Sequence, residues 1–136
     1  MKLPPPKKAE LLPHHVKHLA ESGITTDVAI DNGIYSETNA VKIAVALGWK
    51  NASKLGPCLM FPVRRLDGSV AYTRLRPDRP RLRKDKPVKY ESPKGVQQQP
   101  YFPHGIDDVV DDVNAEIIFT EGEKKSVCAT AYGFPC

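Results

Sequence analysis

The end of the chain places a carboxylate where it could do chemistry. Three consecutive apolar residues, Ile117 to Phe119, are followed closely by Glu121 and Gly122 and then by a helix-like segment. The apolar run predicts a strand over 115–120, buried on both faces. In α/β sheets the ligand site lies beyond the carboxyl ends of the strands, which is the place of Glu121. A carboxylate there can hold Mg²⁺ or take a proton, and Gly122 would allow a tight turn and the close approach of a ligand.

A strongly basic segment precedes this carboxylate. Residues 64–94 contain eleven Lys or Arg against four acidic residues, a net charge of +7, whereas 101–123 contain seven acidic residues and no Lys or Arg, a net charge of −7. The charges of the basic segment are too dense to bury, and its prolines forbid a regular helix. We interpret it as a phosphate-binding surface for nucleic acid, with a solvated loop as the alternative. The candidate contacts are Arg74, Arg76, Arg81, Arg83, Lys84, Lys86 and Lys89.

A β-hairpin should carry part of this surface. The segments CLMFPVRR and SVAYTRLR flank Asp67 and Gly68, a strong turn signal. Pro62 predicts that the first strand lies at a sheet edge. Alternation in the second strand puts Tyr72 on the same face as two arginines, where it could stack on bases or simply form an outward polar face. A further short strand is predicted around 88–90.

Short helices are predicted ahead of the hairpin. Pro13 suits a first helical turn, Thr25 or Thr26 can cap a second helix, and Asn39, Thr38 or Ser36 can cap a third. The third helix, AVKIAVALG, is predicted to present Val41, Ala44, Val45 and Gly48 on one face. The order helix, glycine turn, helix also fits a helix-turn-helix DNA reader, but the second helix is short, acidic and without a basic residue. A small packing bundle is the preferred interpretation.

Two histidines in the first helix raise the question of a metal site. His14 and His18 lie four apart, a spacing that metal ligands use. No third ligand is evident near them in the sequence, so a polar helix face is preferred.

The composition fits one globular domain, or one and an unfinished second. The chain has 136 residues, 40% of them hydrophobic and 26% charged, with a net charge of +4. No apolar run approaches the length of a membrane span, and the beginning of the chain lacks the apolar core of a signal peptide. The three cysteines are scattered, which is typical of free thiols in a reducing compartment. We therefore expect a cytoplasmic protein with no membrane partner.

The motifs together resemble a known family. IIFTEGEKKSVCATAYGFP resembles the first motif of the TOPRIM fold, which topoisomerases and bacterial-type primases share. Its Thr-Glu-Gly-Glu-Lys-Lys variant is similar to a TOPRIM-like domain of unknown function in primase-like replication proteins of plasmids, phages and other mobile elements. Upstream, LLPHHVKHLAESGITTDVAIDNGIYS, GPCLMFPVRRLDG, RLRPDRP and KPVKYESPKG resemble the leading helices, hairpin and basic segment of that family. The resemblance covers nearly the whole chain from about Leu11.

The resemblance implies a function in priming DNA replication by Mg²⁺-dependent nucleotidyl transfer. Glu121 would bind the metal or act as general base, and Gly122 would form the turn. Lys89, Arg74 and Arg76 would position the nucleic acid or the nucleotide. The implied partners are a single-stranded DNA template, nucleotides and a helicase domain in the same full-length chain.

Two departures from the family pattern limit these implications. Primases usually place an aspartate four residues after the motif glutamate, where this chain has Lys125, and the Asp-x-Asp of a later strand is missing. We therefore expect an N-terminal fragment that is inactive alone, since one carboxylate cannot hold paired metal ions. One alternative is a non-catalytic nucleic-acid-binding module that recruits a helicase. Another is a TOPRIM nuclease or topoisomerase.

The expected fold class is α/β with an α+β lead. We expect a flexible lead-in over 1–10, short helices over 11–50, a basic β-rich part over 51–103 and an acidic connector over 104–114. Residues 115–136 would contribute the first strand and helix of a truncated, parallel TOPRIM-like sheet.

Overall fold

The computed structural model describes residues 10–136, so the beginning of the predicted lead-in lies outside the described residues. The described residues form a mixed α+β structure with four α-helices and two antiparallel sheets. The elements are α1 (Pro13–Glu21), α2 (Thr26–Asp31), β1 (Tyr35–Glu37), α3 (Ala40–Leu47), β2 (Cys58–Arg64), β3 (Val70–Pro77), β4 (Leu82–Arg83), β5 (Lys86–Pro87) and α4 (Glu123–Ala131). None of these helices has the length and apolar character needed to cross a membrane.

The predicted hairpin is confirmed as β2 and β3, but the expected edge position of β2 is wrong. The larger sheet has the order β1-β2-β3, with β2 in the centre. Proline is nevertheless tolerated because β1 begins at Tyr35, opposite Met60, and leaves Pro62 with β3 as its one neighbouring strand. The edge is therefore local to the second half of β2.

The core lies on both faces of β2. Cys58 and Met60 pack with residues of α3 on one side, whereas Leu59 and Phe61 pack with residues of α1, α2 and α4 on the other. Successive side chains of a strand point to opposite faces, so a strand covered on both sides is a continuous apolar run. This explains the sequence CLMFPV.

The three leading helices are confirmed, and local side chains cap the second and the third. The side chain of Thr25 accepts a hydrogen bond from the amide of Val28, and Asn39 caps α3. The buried face of α3 differs from the predicted one. Its buried residues are Ile43, Ala44 and Leu47, while Val41 and Val45 are exposed. Apart from Lys42 the segment is apolar, so periodicity alone could not choose the face that meets the sheet.

The basic loop after β3 folds back on itself as a second, small hairpin. β4 and β5 pair through a turn at Lys84 and Asp85, both of which have positive φ, as a type I′ turn requires. The strand predicted around 88–90 does not form at those residues. Strand pairing occurs just before them, in β5, and just after them, in an isolated bridge between Glu91 and Leu75.

The predicted strand over 115–120 is not formed. The segment has no ladder partner among the described strands, Phe119 is 94% exposed, and the amide of Ile118 donates to the carbonyl of Pro135 instead. A central strand needs neighbours on both edges to satisfy its backbone, and the described residues provide none here. The parallel sheet thus remains an expectation, whereas the helix after Glu121 is present as α4.

Candidate nucleic-acid interface

Glu121 lies just before α4 and is exposed. Its carboxylate accepts a hydrogen bond from the ammonium group of Lys125, one helical turn later, and this contact lowers the pKa of Glu121. The lysine that departs from the primase pattern is thus the direct partner of the motif glutamate. Among the described residues, the one group of three side chains placed to hold a metal does not include Glu121. Glu121 therefore offers a single ionised ligand.

Gly122 occupies the N-cap of α4 in an extended backbone conformation, with φ −146° and ψ 146°. Any residue adopts such a conformation, and a Cβ built on Gly122 would meet nothing within 4 Å. The turn itself therefore does not require glycine. The other predicted role, the close approach of a ligand to the backbone, is compatible with this open space.

Glu121 and Gly122 form one wall of a groove. The groove has a volume of about 340 Å³, and Tyr72 and Arg74 of β3 also line it. The phenol oxygen of Tyr72 accepts a hydrogen bond from the amide of Gln99. The structure thus brings the predicted hairpin face and the predicted carboxylate to the same cavity.

Two of the predicted phosphate contacts are engaged within the protein. Arg74 donates to the carboxylate of Glu123 at 2.8 Å and lies over the ring of Tyr90. Arg81 donates twice to Glu91, a bidentate pair that raises the pKa of Arg81. Both carboxylates are buried, so these arginines neutralise internal charge rather than wait for a ligand.

Arg76 and Lys89 have a different environment, because their charges act on Lys124 at the start of α4. Burial, the charge of Arg76 and the charge of Lys89 all lower the pKa of Lys124, against the opposite effect of Glu21. No ion pair of the described residues includes Arg76, Lys89 or Lys124. These three residues are here called the cationic cluster.

His18 of α1 completes the surroundings of the cationic cluster. Its Nε2 lies 2.9 Å from Nζ of Lys124, which donates to it. Burial and the charges of Lys124 and Arg76 lower the pKa of His18 and favour its neutral form. Like charges held together without an ion pair among the described residues, with Glu21 as a weaker opposing charge, are a feature of anion-binding sites.

The remaining predicted contacts, Arg83, Lys84 and Lys86, lie in the β4–β5 hairpin. All three are exposed, and none takes part in an ion pair of the described residues. They extend the basic surface along this hairpin.

Sequence reasoning missed Lys124 and His18 as partners in this interface. Lys124 belonged to the TOPRIM-like motif and His18 to a possible metal pair, and nothing local in the sequence joins them. It also missed that His14 pairs with its neighbour His15 around Asp78, not with His18. These relationships depend on how α1 packs against β3 and α4.

No protein-family model, curated protein or solved structure matches this chain. The relationship to TOPRIM-like replication proteins that the motifs imply therefore stays a prediction.

Proposed function

We propose that this chain is the nucleic-acid-binding part of a primase-like DNA replication protein, and that the cationic cluster binds backbone phosphates of single-stranded DNA. The observation that carries the proposal is that Lys124 lies 2.9 Å from His18 and within range of the charges of Arg76 and Lys89, while none of the three cations has an ion-pair partner among the described residues. A phosphate between these side chains would remove their mutual repulsion.

The groove supports a strand that runs past the cationic cluster. Arg74 and Arg76 share one face of β3, and Glu123 and Lys124 are neighbours in α4, so the groove and the cluster are adjacent. Tyr72 offers an aromatic ring in the groove for a base, and stacking of this kind tolerates any sequence. A strand held in this way would keep its bases near Glu121.

Fluorescence anisotropy with a labelled single-stranded oligonucleotide tests this proposal. The double substitution Arg76→Gln/Lys89→Gln should weaken binding roughly tenfold or more, because it removes two cations that neutralise phosphates. The matched control is Lys42→Gln/Lys50→Gln, which removes the same charge from exposed positions in and after α3. Equal loss of affinity in both double variants would mean that net charge alone attracts the DNA, and the proposed site would be wrong.

The stability of the same variants separates binding from structure. Glutamine at Arg76 and Lys89 relieves repulsion, so the free energy of unfolding should change by no more than about 0.5 kcal/mol. A variant that loses both affinity and more than about 1 kcal/mol of stability would indicate that these cations support the fold.

Catalysis through Glu121 is the second candidate, and the exposed, ionised carboxylate at the groove favours it. The single carboxylate does not complete a site for paired Mg²⁺ ions, so the other ligands would have to come from a longer protein. Mg²⁺-dependent primer synthesis by that protein, compared with its Glu121→Gln variant, tests this role. Loss of synthesis with retained DNA binding supports it. Binding without synthesis in the wild type supports instead a non-catalytic module that recruits a helicase.

A further inference from the structure

A second cluster of chemically active side chains, which includes none of the proposed DNA-binding residues, lies at the start of α1. Nε2 of His14 lies 2.6 Å from Oδ2 of Asp78, and Nε2 of His15 lies 2.9 Å from Oδ1 of the same carboxylate. One potential ligand atom from each residue lies within 4.8 Å of the others. His15 is 1% exposed whereas the side chain of His14 is 55% exposed, so the cluster has a buried wall and an open side.

We propose that His14, His15 and Asp78 bind a zinc ion. Two imidazole nitrogens and a carboxylate oxygen form a donor set that suits Zn²⁺, whereas Mg²⁺ prefers oxygen ligands. Three protein ligands leave a fourth tetrahedral position for water on the open side, next to His14.

The dimensions of the cluster fit the ion after a small movement. Bonds of about 2.0–2.2 Å at tetrahedral angles separate two ligand atoms by about 3.3–3.6 Å. The present separations of 2.6 and 2.9 Å are those of hydrogen bonds, so an ion would replace a proton between each imidazole and the carboxylate. The exposed side chain of His14 is free to supply most of the movement.

Ser36 of β1 supports the buried ligand. Its hydroxyl oxygen lies 2.7 Å from Nδ1 of His15 and accepts a hydrogen bond from the amide of Leu12. Without an ion, we assign the proton of His15 to Nε2, which donates to Asp78, and Nδ1 accepts from the hydroxyl of Ser36. With an ion on Nε2, Nδ1–H donates to Ser36, whose oxygen can accept two hydrogen bonds. Such an outer partner orients a metal-binding histidine.

The ion would also tie two elements together. His14 and His15 belong to the first turn of α1, and Asp78 follows β3 directly. Coordination would therefore hold the start of α1 against the end of the sheet. The site shares no ligand with the cationic cluster or with Glu121, so its test does not depend on the proposed function.

Isothermal titration of the tag-free, chelator-treated chain with ZnCl₂ tests the proposal, in a Cys128→Ser/Cys136→Ser background that removes the more accessible thiols. We expect one Zn²⁺ per chain, without competition from excess Mg²⁺. His14→Ala and Asp78→Asn should each lower the Zn²⁺ affinity at least tenfold. Loss of an outer partner of a metal ligand already lowers affinity by roughly tenfold or more, and loss of a ligand itself should cost no less. His18→Ala is the matched control, since it removes a histidine of the same helix outside the cluster and should leave the affinity unchanged.

The His14→Ala variant also tests whether a loss of Zn²⁺ binding reflects a loss of folding. Because His14 is largely exposed, His14→Ala should keep the circular dichroism spectrum and the unfolding midpoint of the metal-free chain. Co²⁺ bound at the site should show ligand-field absorption without a sulfur charge-transfer band. No bound Zn²⁺, an affinity that His14→Ala and Asp78→Asn leave intact, or binding that requires Cys128 or Cys136 would overturn the proposal.

Discussion

The ammonium group of Lys124 lies 2.9 Å from Nε2 of His18, although 106 positions separate the two residues in the chain. The contact joins α4 to α1 and places a cation against an imidazole. Arg76 lies close enough to lower the pKa of both groups, and Glu21 offsets only part of this effect. An anion bound here would meet a positive site that folding has already assembled.

The first prediction concerns the titration of His18, which Lys124 faces from α4, Arg76 from β3, and Glu21 and His15 from α1. Its pKa should lie below the ordinary value of 6.5 in the free protein and rise when an oligonucleotide binds, because the anion favours the charged ring. Because the unfolded chain protonates His18 more readily than the folded protein does, His18 should reduce the free energy of unfolding when the pH falls below 6.5.

NMR titration of the imidazole signals measures the pKa of His18 with and without the oligonucleotide. The signal that is missing from the His18→Gln variant identifies His18. Lys124→Gln should raise the pKa of His18 in the free protein and reduce its further rise on DNA binding. A pKa that stays the same with and without the oligonucleotide would place the DNA elsewhere.

The second prediction concerns the ion pair of Arg74 and Glu123, whose nitrogen and oxygen atoms lie 2.8 Å apart. Arg74→Gln leaves the buried carboxylate without its cation and should lower the free energy of unfolding by about 1–3 kcal/mol. Urea denaturation measures the loss. Arg83→Gln, at an exposed position of β4, is the matched control and should change stability by less than about 0.5 kcal/mol. Equal effects would show that the ion pair contributes nothing.

The third prediction compares two glycines with nearly the same backbone. Gly23 and Gly95 have φ of +75° and +77°, so alanine should cost each about 1–2 kcal/mol in strain. At Gly23 the new Cβ would also lie 2.8 Å from Sγ of Cys128, whereas Gly95 has open space. Gly23→Ala should therefore lose more stability in urea denaturation, and Cys128→Ala should recover part of the difference. Equal losses would mean that α1 and α4 do not pack at this glycine.

The fourth prediction concerns the thiol of Cys58. Burial raises its pKa to about 12, so it should resist alkylation at pH 8 while Cys128 and Cys136 react. Mass spectrometry after iodoacetamide treatment identifies the labelled residues. The unfolded thiol ionises near 9.0, so Cys58 should reduce stability as the pH rises from there to about 12. Labelling of Cys58 in the native protein at the rate of the unfolded chain would contradict the burial.

The parts of the fold that local signals specify could be predicted from the sequence. Thr25 and Asn39 cap their helices with their own side chains, and the turn at Asp67 and Gly68 joins β2 to β3. These features depend on residues that are close in the chain. The sequence therefore sufficed for three helices and the main hairpin.

Long-range packing decided the rest. The apolar run of β2 is the mark of a strand covered on both faces, and Pro62 pointed to an edge. Both are true, because residues 58–63 are all buried while the second half of the strand has no β1 neighbour. The apolar run of Ile117 to Phe119 had the same appearance and forms no strand, because pairing depends on a neighbour that the run does not encode.

The sequence predicted which residues belong to the candidate site better than it predicted how they are arranged. The basic residues of 64–94 were identified, but the sequence could not tell Arg74, which neutralises a buried carboxylate, from Arg76, which has no such partner among the described residues. The two residues differ only in what the fold brings opposite them.

The salt dependence of single-stranded DNA binding tests the central claim most directly. The slope of log affinity against log salt concentration should be less negative for Arg76→Gln/Lys89→Gln than for the wild type, by about 0.7 for each phosphate that the variant no longer neutralises. Lys42→Gln/Lys50→Gln should keep the wild-type slope. If the slope of Arg76→Gln/Lys89→Gln equals that of the wild type, these residues do not bind phosphates, and the cationic cluster is not the DNA-binding site.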